Sequence, residues 1–362
     1  MNPNPPPIVL ITGSAGHLGT ALMFALPDLG YHPVGIDIKP GPTTTHVGSI
    51  TDAAFLASVF AAHSPIAHVI HTATLHKPHV GSHSMGEFVQ TNVEGTLRVL
   101  EQAAETVNKP KHRVNSLIFI STTSAFGTSL SPPPPLPAAW ITESTPTTSP
   151  KNIYGATKTA AEDLCRLVHV QTGLPVLVLR TSRFFPEDDD DETRRDEVKD
   201  AENLKVLELA YRRVDVSDVV GACVCAMERA GGVRWGKYVV SGPTPFTKDE
   251  GVLERLNGGD AAAVFKGIRV SGSGDGGDGG LTTVGKVFEE KGWGFLGRVD
   301  RVYDSSKAVR ELGWRPEYTF EKAVERVARG ERWGSELAVR VGRLGYHAVP
   351  TGVYTTGGTQ SR

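Results

Sequence analysis

Tyr154 and Lys158, in the run Tyr154-Gly155-Ala156-Thr157-Lys158, stand four residues apart, a spacing that sets both on one face of a helix about one turn from each other. A phenol of ordinary pKa near ~10 is a poor base at neutral pH. A nearby ammonium favours the phenolate, which would let Tyr154 trade a proton with a substrate hydroxyl or carbonyl. Such a pair arises by chance in many proteins, so its meaning depends on what surrounds it. The segment Thr12 to Gly19 reads TGSAGHLG, directly after an apolar run and at the start of helical periodicity. In a loop so placed, Gly13 permits the tight turn, Gly16 lets the backbone approach a pyrophosphate, and Gly19 lets the helix press close to the sheet. Backbone N–H groups and the positive helix end then face phosphates, which makes Gly13, Ala15, Gly16, His17, Leu18 and Gly19 the candidate dinucleotide contacts.

Asp37 follows Gly13 by 24 residues, at the end of the run GID, close to the ~20-residue offset of a ribose-binding carboxylate. It would accept from the adenosine ribose hydroxyls and repel a 2′-phosphate, so NAD is favoured over NADP, with Lys39 tempering the preference. Hydroxyls also gather where the run SLIFIS meets Thr122-Thr123-Ser124. The carboxyl end of a central strand is where ligands bind in doubly wound sheets.

The elements that must position these residues follow from the apolar pattern. Short β-branched runs begin at Ile8, His32, His68, Ser116 and Pro175, and segments of helical periodicity span 18–26, 85–106 and 154–172. Apolar strands alternating with helices predict an α/β, Rossmann-type doubly wound parallel sheet, buried on both faces. The 362 residues divide on this reading into a dinucleotide-binding region, 1–180, that includes Thr122 and the Tyr-Lys pair. Residues 181–349 form a smaller, mainly substrate-binding α/β region with segments returning to the core, and 350–362 a flexible tail. Pro186 to Glu192, PEDDDDE, is a solvated loop or helix entrance. Val270 to Gly280, VSGSGDGGDGG, has too little apolar content to pack and is a surface insertion. Ser129 to Pro137, SLSPPPPLP, is a stiff polyproline-like loop.

A net charge of −2 offers no basic field for nucleic acid or an anionic membrane, which points to small-molecule partners. No stretch nears the ~18 apolar residues of a membrane helix, and the amino terminus lacks the basic and apolar regions of a secretory signal. Cys165, Cys223 and Cys225 have neither zinc nor disulfide spacing, so a soluble protein of the reducing cytoplasm is expected. His76, His79 and His83 share one loop but lack carboxylates or cysteines at ligand spacing, so no metal is expected. His71 is expected to support the turn beneath the dinucleotide.

TGSAGHLG, Asp37, HTAT at 71–74, Asn92-Val93-Glu94-Gly95-Thr96, STTSAFG at 121–127 and YGATK at 154–158 occur in order. Together they resemble an extended short-chain dehydrogenase/reductase of the NAD-dependent epimerase/dehydratase group, over residues 8 to about 330. The resemblance implies Thr122 as the catalytic hydroxyl beside Tyr154 and Lys158. It implies cofactor contacts from Ser49, Ile50, Thr72, Ala73, Thr74 and Asn92, with Lys158 reaching the nicotinamide ribose, and substrate contacts from Ser124, Arg183 and Arg213. Helices beginning near Met85 and Tyr154 pair across a dimer in relatives, so a homodimer is expected.

Departures from the family pattern carry information. Ser49 replaces the usual aspartate that touches adenine, and Phe126 replaces the common tyrosine. Thr123 and Ser124 stand where dehydratases have Asp-Glu, which disfavours 4,6-dehydration. Arg183 replaces a diphosphate-contacting asparagine, and it could instead be a structural arginine facing the acidic run. The leading expectation is an NAD-dependent epimerase or oxidoreductase on a sugar-nucleotide-like or polyol substrate. Its rivals are a carbonyl reductase or alcohol dehydrogenase on a less polar substrate and a non-catalytic NAD-binding redox sensor.

Overall fold

The computed structural model describes residues 5–186, 191–271 and 280–342. Most of the acidic run, the centre of the glycine-rich insertion and the 350–362 tail lie outside the described residues.

Seven strands build the central sheet: β1 (Ile8–Thr12), β2 (His32–Asp37), β3 (His46–Val47), β4 (Ile66–His71), β5 (Ser116–Thr122), β6 (Val176–Thr181) and β7 (Trp235–Val240). Their order is β7-β6-β5-β4-β1-β2-β3, and every neighbouring pair is parallel. This is the doubly wound arrangement, in which the chain winds one way from β1 to β3 and the other way from β4 onward. The reversal leaves a crevice at the carboxyl ends of β1 and β4. Five of the strands answer to the apolar runs of the sequence. The two-residue β3 and the lysine-bearing β7 were not among those runs.

Both faces of the sheet are covered. Helices His17–Ala25, Val216–Val233 and Glu336–Val341 close one side over a core that includes Ile11, Leu22, Ile118, Leu179 and Trp314. Helices Ala53–Ala62, Gly95–Ala104 and Ile153–Thr172 close the other over Leu10, Val69, Phe119 and Val178. A further core, with Leu207, Tyr211, Phe265, Phe288 and Phe320, is built mainly from the second half of the chain, with Ala138 and Trp140 joining it from the first.

Local chemistry fixes the helix carrying the Tyr-Lys pair. Asn152 caps it by accepting from the Gly155 N–H at 3.0 Å, and Gly173 ends it in the left-handed conformation at φ 74°. Helical periodicity predicts one helix over 85–106, but the structure divides that span. Met85–Val89 and Gly95–Ala104 are α-helical, and Gln90–Glu94 between them is a π-turn. A π-turn adds a residue without disturbing the apolar face enough for the pattern to register it.

Among the described residues no helix is long and apolar enough to cross a membrane, and Cys165, Cys223 and Cys225 are free thiols.

Candidate active site

The glycine loop sits over the crevice between β1 and β4. Gly13 has φ +73°, and a Cβ there would lie 2.7 Å from both the Cα and N of Ala73. The turn after β1 and the turn after β4 therefore touch. At Gly19 a Cβ would lie 2.0 Å from the Gly13 carbonyl oxygen, so this glycine brings the first helix against its own entry loop. No side chain caps that helix, and its leading N–H groups point out of the helix end. Asp37 closes the loop from the side, one carboxylate oxygen accepting from Ala15 N at 3.0 Å and the other from Lys39 N at 2.9 Å.

Beneath the loop the polar groups are tightly satisfied. His71 is fully buried, with Nδ1 2.6 Å from Thr12 Oγ1 and Nε2 2.9 Å from Thr96 Oγ1. Burial, with Lys158 nearby, brings its pKa down to about 3, so the ring is a neutral strut. Thr72 Oγ1 donates to Thr12 O at 2.7 Å, and Ala73 N donates to Thr12 Oγ1 at 3.2 Å.

Asn92 and Arg213 have positions that differ from the expected ones. Asn92 is 1% exposed. Its amide oxygen accepts from Leu75 N and Thr74 Oγ1, and its amide nitrogen donates to Leu75 O and Thr157 Oγ1. Expected as a cofactor contact, it is a clamp joining the turn after β4 to the Tyr-Lys helix, because the π-turn aims it inward. Arg213 is expected to touch substrate, yet it is fully buried, paired with the equally buried Glu208 at 2.8 Å and lying over the Phe185 ring. It serves the second core. Arg183, in register beside it, is half-buried. Ser124 donates its N–H to Thr122 Oγ1 at 3.1 Å, and Ile50 is buried while Ser49 bonds to Thr51. His17 is buried too, its Nε2 2.7 Å from the carbonyl oxygen of Gly342.

Thr122, Tyr154 and Lys158 converge. Thr122 ends β5, and its hydroxyl lies close enough to the Tyr154 phenol to oppose the effect of burial on it. Lys158 is 1% exposed, with Nζ 4.1 Å from the centre of the Phe119 ring and close to His71. The spacing predicts an ammonium that lowers the tyrosine pKa, but burial dominates both groups here. It pushes Tyr154 up to about 12, against the opposing effect of the Thr122 hydroxyl, and Lys158 down to about 7. A lysine that is only partly charged at neutral pH is a weak lever on the phenol.

Sequence reasoning missed Glu162, one turn beyond Lys158 on the same face. Its signal was the same i+4 step that links Tyr154 to Lys158. Among the described residues, no group of three or more His, Cys, Asp or Glu side chains is arranged to hold a metal ion.

A glycine loop at the switch point, a carboxylate ending β2 and a Thr-Tyr-Lys convergence at the end of β5 are parts of one known design. The model of the NAD dependent epimerase/dehydratase family matches residues 9–241, well over half the chain. The chain belongs to this family.

Within the NAD-dependent epimerase/dehydratase family, the chain is 31% identical over 192 residues to the UDP-glucose 4-epimerase of Yersinia pestis, covering 49% of this chain and 52% of that protein. It is 30% identical over 193 residues to a dTDP-glucose 4,6-dehydratase of Xanthomonas campestris, with 49% and 53% covered. The chain spans about half the length of the curated relatives it matches. A crystal structure of the Thermotoga maritima UDP-glucose 4-epimerase with UDP-glucose shares the fold, with TM-score 0.56, 21% identity, and 89% of this chain and 97% of that one covered.

Membership in this NAD-dependent family assigns NAD as the cofactor, and the loop fits it. The glycine cradle leaves room where side chains would intrude, and the uncapped helix end suits a pyrophosphate. Asp37→Asn should lower NAD affinity about tenfold, since hydrogen bonds to charged groups contribute about 1.5–3 kcal/mol. NADP, relieved of repulsion, should lose less. Calorimetric titration with both dinucleotides checks this, and an unchanged NAD:NADP ratio would refute the role given to Asp37.

Proposed function

We propose that the chain is an NAD-dependent epimerase of a sugar nucleotide, moving hydride off and back onto one hydroxyl-bearing carbon. The observation that carries the reading is the convergence of Thr122, Tyr154 and Lys158 at the carboxyl end of β5, with Lys158 beside the His71 strut under the glycine loop. In this reading residues 1–180 hold the cofactor and residues 181–349 mainly shape the substrate side.

Bound NAD supplies the reversible hydride acceptor. Tyr154 takes the proton of the substrate hydroxyl as the carbon is oxidised, and returns it when the carbon is reduced from the other face. Thr122 holds the reacting oxygen against the phenol. Lys158 holds the ribose. Proton transfer of this kind contributes ~10²–10⁴ in rate, and positioning supplies much of the remainder.

Two observations support the reading. The relatives the chain matches are named for UDP-glucose and dTDP-glucose. Thr123 and Ser124 stand in place of a carboxylate pair, which favours epimerisation over water elimination.

Incubation with NAD and UDP-glucose, UDP-galactose or UDP-glucuronate tests the reading. The expected result is interconversion of 4-epimers with no net rise in NADH absorbance. Stoichiometric NADH from simple alcohols, with no epimer formed, would overturn it in favour of a dehydrogenase.

The enzyme is proposed to work as a homodimer. Helices Met85–Val89 and Ile153–Thr172 lie against each other and leave Met85, Val89, Leu167 and Val170 exposed, more apolar surface than a solvated helix pair needs. Light scattering should give twice the 38.7 kDa chain mass, and Val89→Glu with Leu167→Glu should give monomer. A monomeric parent chain would sink this expectation.

A further inference from the structure

Glu162 is fully buried and follows Lys158 by four residues on the same helix. Its carboxylate accepts hydrogen bonds from three adjacent strands. Ser121 Oγ on β5 donates at 2.6 Å, Arg180 Nε and Nη2 on β6 at 2.9 and 2.7 Å, and Lys237 Nζ on β7 at 2.7 Å. Ser121 immediately precedes Thr122. The Arg180 guanidinium lies 4.6 Å from the centre of the Phe126 ring, in the turn that Thr122 opens.

Holding the helix on the sheet does not require this cluster. Ala161, Cys165 and Val168 already bury apolar surface there, and a buried ion cluster is on average no more stabilising than well-packed apolar residues of the same volume. What the cluster adds is registration. It ties the strand end bearing Thr122, and the two strands beyond it, to the helix bearing Tyr154 and Lys158.

We propose that Glu162 is a positioning residue for the reaction: it fixes the strand end carrying Thr122 against the helix carrying Tyr154 and Lys158, and its charge, balanced by Arg180 and Lys237, stands behind the Lys158 ammonium. The first half rests on the catalytic reading given above, whereas the second is a statement of electrostatics that holds whatever the substrate.

The groups facing Lys158 are few. Burial lowers its pKa to about 7, and Glu162 and Cys165 on its own helix oppose that fall. Cys165 is held neutral by burial that raises its thiol, and His71, at the end of β4, is held neutral by its pKa of about 3. Glu162, kept ionised by Arg180 and Lys237 against its own burial, is the negative charge that remains. Removing it disfavours the ammonium, while removing Lys237 relieves a repulsion. The two changes must therefore shift Lys158 in opposite directions.

The test is carbon-13 NMR of the full chain labelled at lysine Cε and saturated with NAD, the Lys158 signal being identified by its loss in Lys158→Met. Ordinary lysines titrate near ~10, clear of this one. In E162Q the Lys158 midpoint should move to lower pH, and in K237M to higher pH, by roughly half to one pH unit. With UDP-glucose as the turnover probe, E162Q should lower kcat on the order of tenfold to a hundredfold with little change in KM, as a misplaced catalytic group does. Midpoints that stay put, or move the same way in both variants, overturn the proposal, as does wild-type kcat in a folded E162Q. If the parent chain does not turn over UDP-glucose, the substrate reading fails while the lysine titration still decides the role of Glu162. Should E162Q fail to fold, K237M decides: an upward shift supports the proposal, and an unmoved midpoint ends it.

Discussion

Tyr154→Phe should lower the proposed epimerase turnover by about 10²–10⁴, the range that a positioned proton-transfer group contributes, while leaving NAD affinity within about threefold. The substitution removes one oxygen from a side chain that is only 9% exposed. The ring keeps its packing, and the reacting centre loses the group that exchanges the proton. Burial holds the free phenol near 12, so the lone tyrosine is a proton donor in waiting, and base strength must come from the loaded site. Initial rates with UDP-glucose and calorimetric NAD titration, run on the same preparation, separate the two effects. Near-normal turnover in the phenylalanine variant would sink the mechanism and favour a chain that binds NAD without acting on a substrate.

Gly19→Ala should be nearly as damaging through an entirely different cause. Its new methyl would lie 2.0 Å from the Gly13 carbonyl oxygen and 2.7 Å from the Ser14 Cα, both backbone atoms that no side-chain rotation can move aside. The helix must retreat from its entry loop, and the leading N–H groups retreat with it. Overpacking of this kind costs about 1–3 kcal/mol in stability. Loss of pyrophosphate alignment should weaken NAD binding by about thirtyfold or more, since each hydrogen bond to a charged group contributes about 1.5–3 kcal/mol. Thermal melting with and without NAD measures both. A variant that melts normally and is still stabilised by NAD would show that the close approach is dispensable.

The parts of the molecule that could be recognised from sequence are those whose geometry is local. Gly13, Gly16 and Gly19 and the apolar run before them describe one turn. Tyr154 and Lys158 lie on one helix, so their spacing alone places them together. Strand β7 escaped notice because Gly236 and Lys237 interrupt its apolar character, and the lysine is tolerable there only because Glu162, 75 residues earlier, receives it. Asn92 sat in a recognisable motif, but its direction is set by a π-turn that apolar periodicity does not report. Arg213 read as a ligand for anions because sequence shows charge and not the buried Glu208 that claims it. A side-chain partner or a local backbone turn decided each of these outcomes, and neither is written in a linear apolar pattern.

The hydrogen bond between His17 and the Gly342 carbonyl joins the first residue of the coenzyme-facing helix to the turn that ends Glu336–Val341. Two stretches separated by 325 positions are thus fastened at the very point where the pyrophosphate would rest. A protease cut or an appended tag that dislodged Glu336–Val341 would be felt first as looser coenzyme retention, well before the sheet itself gave way.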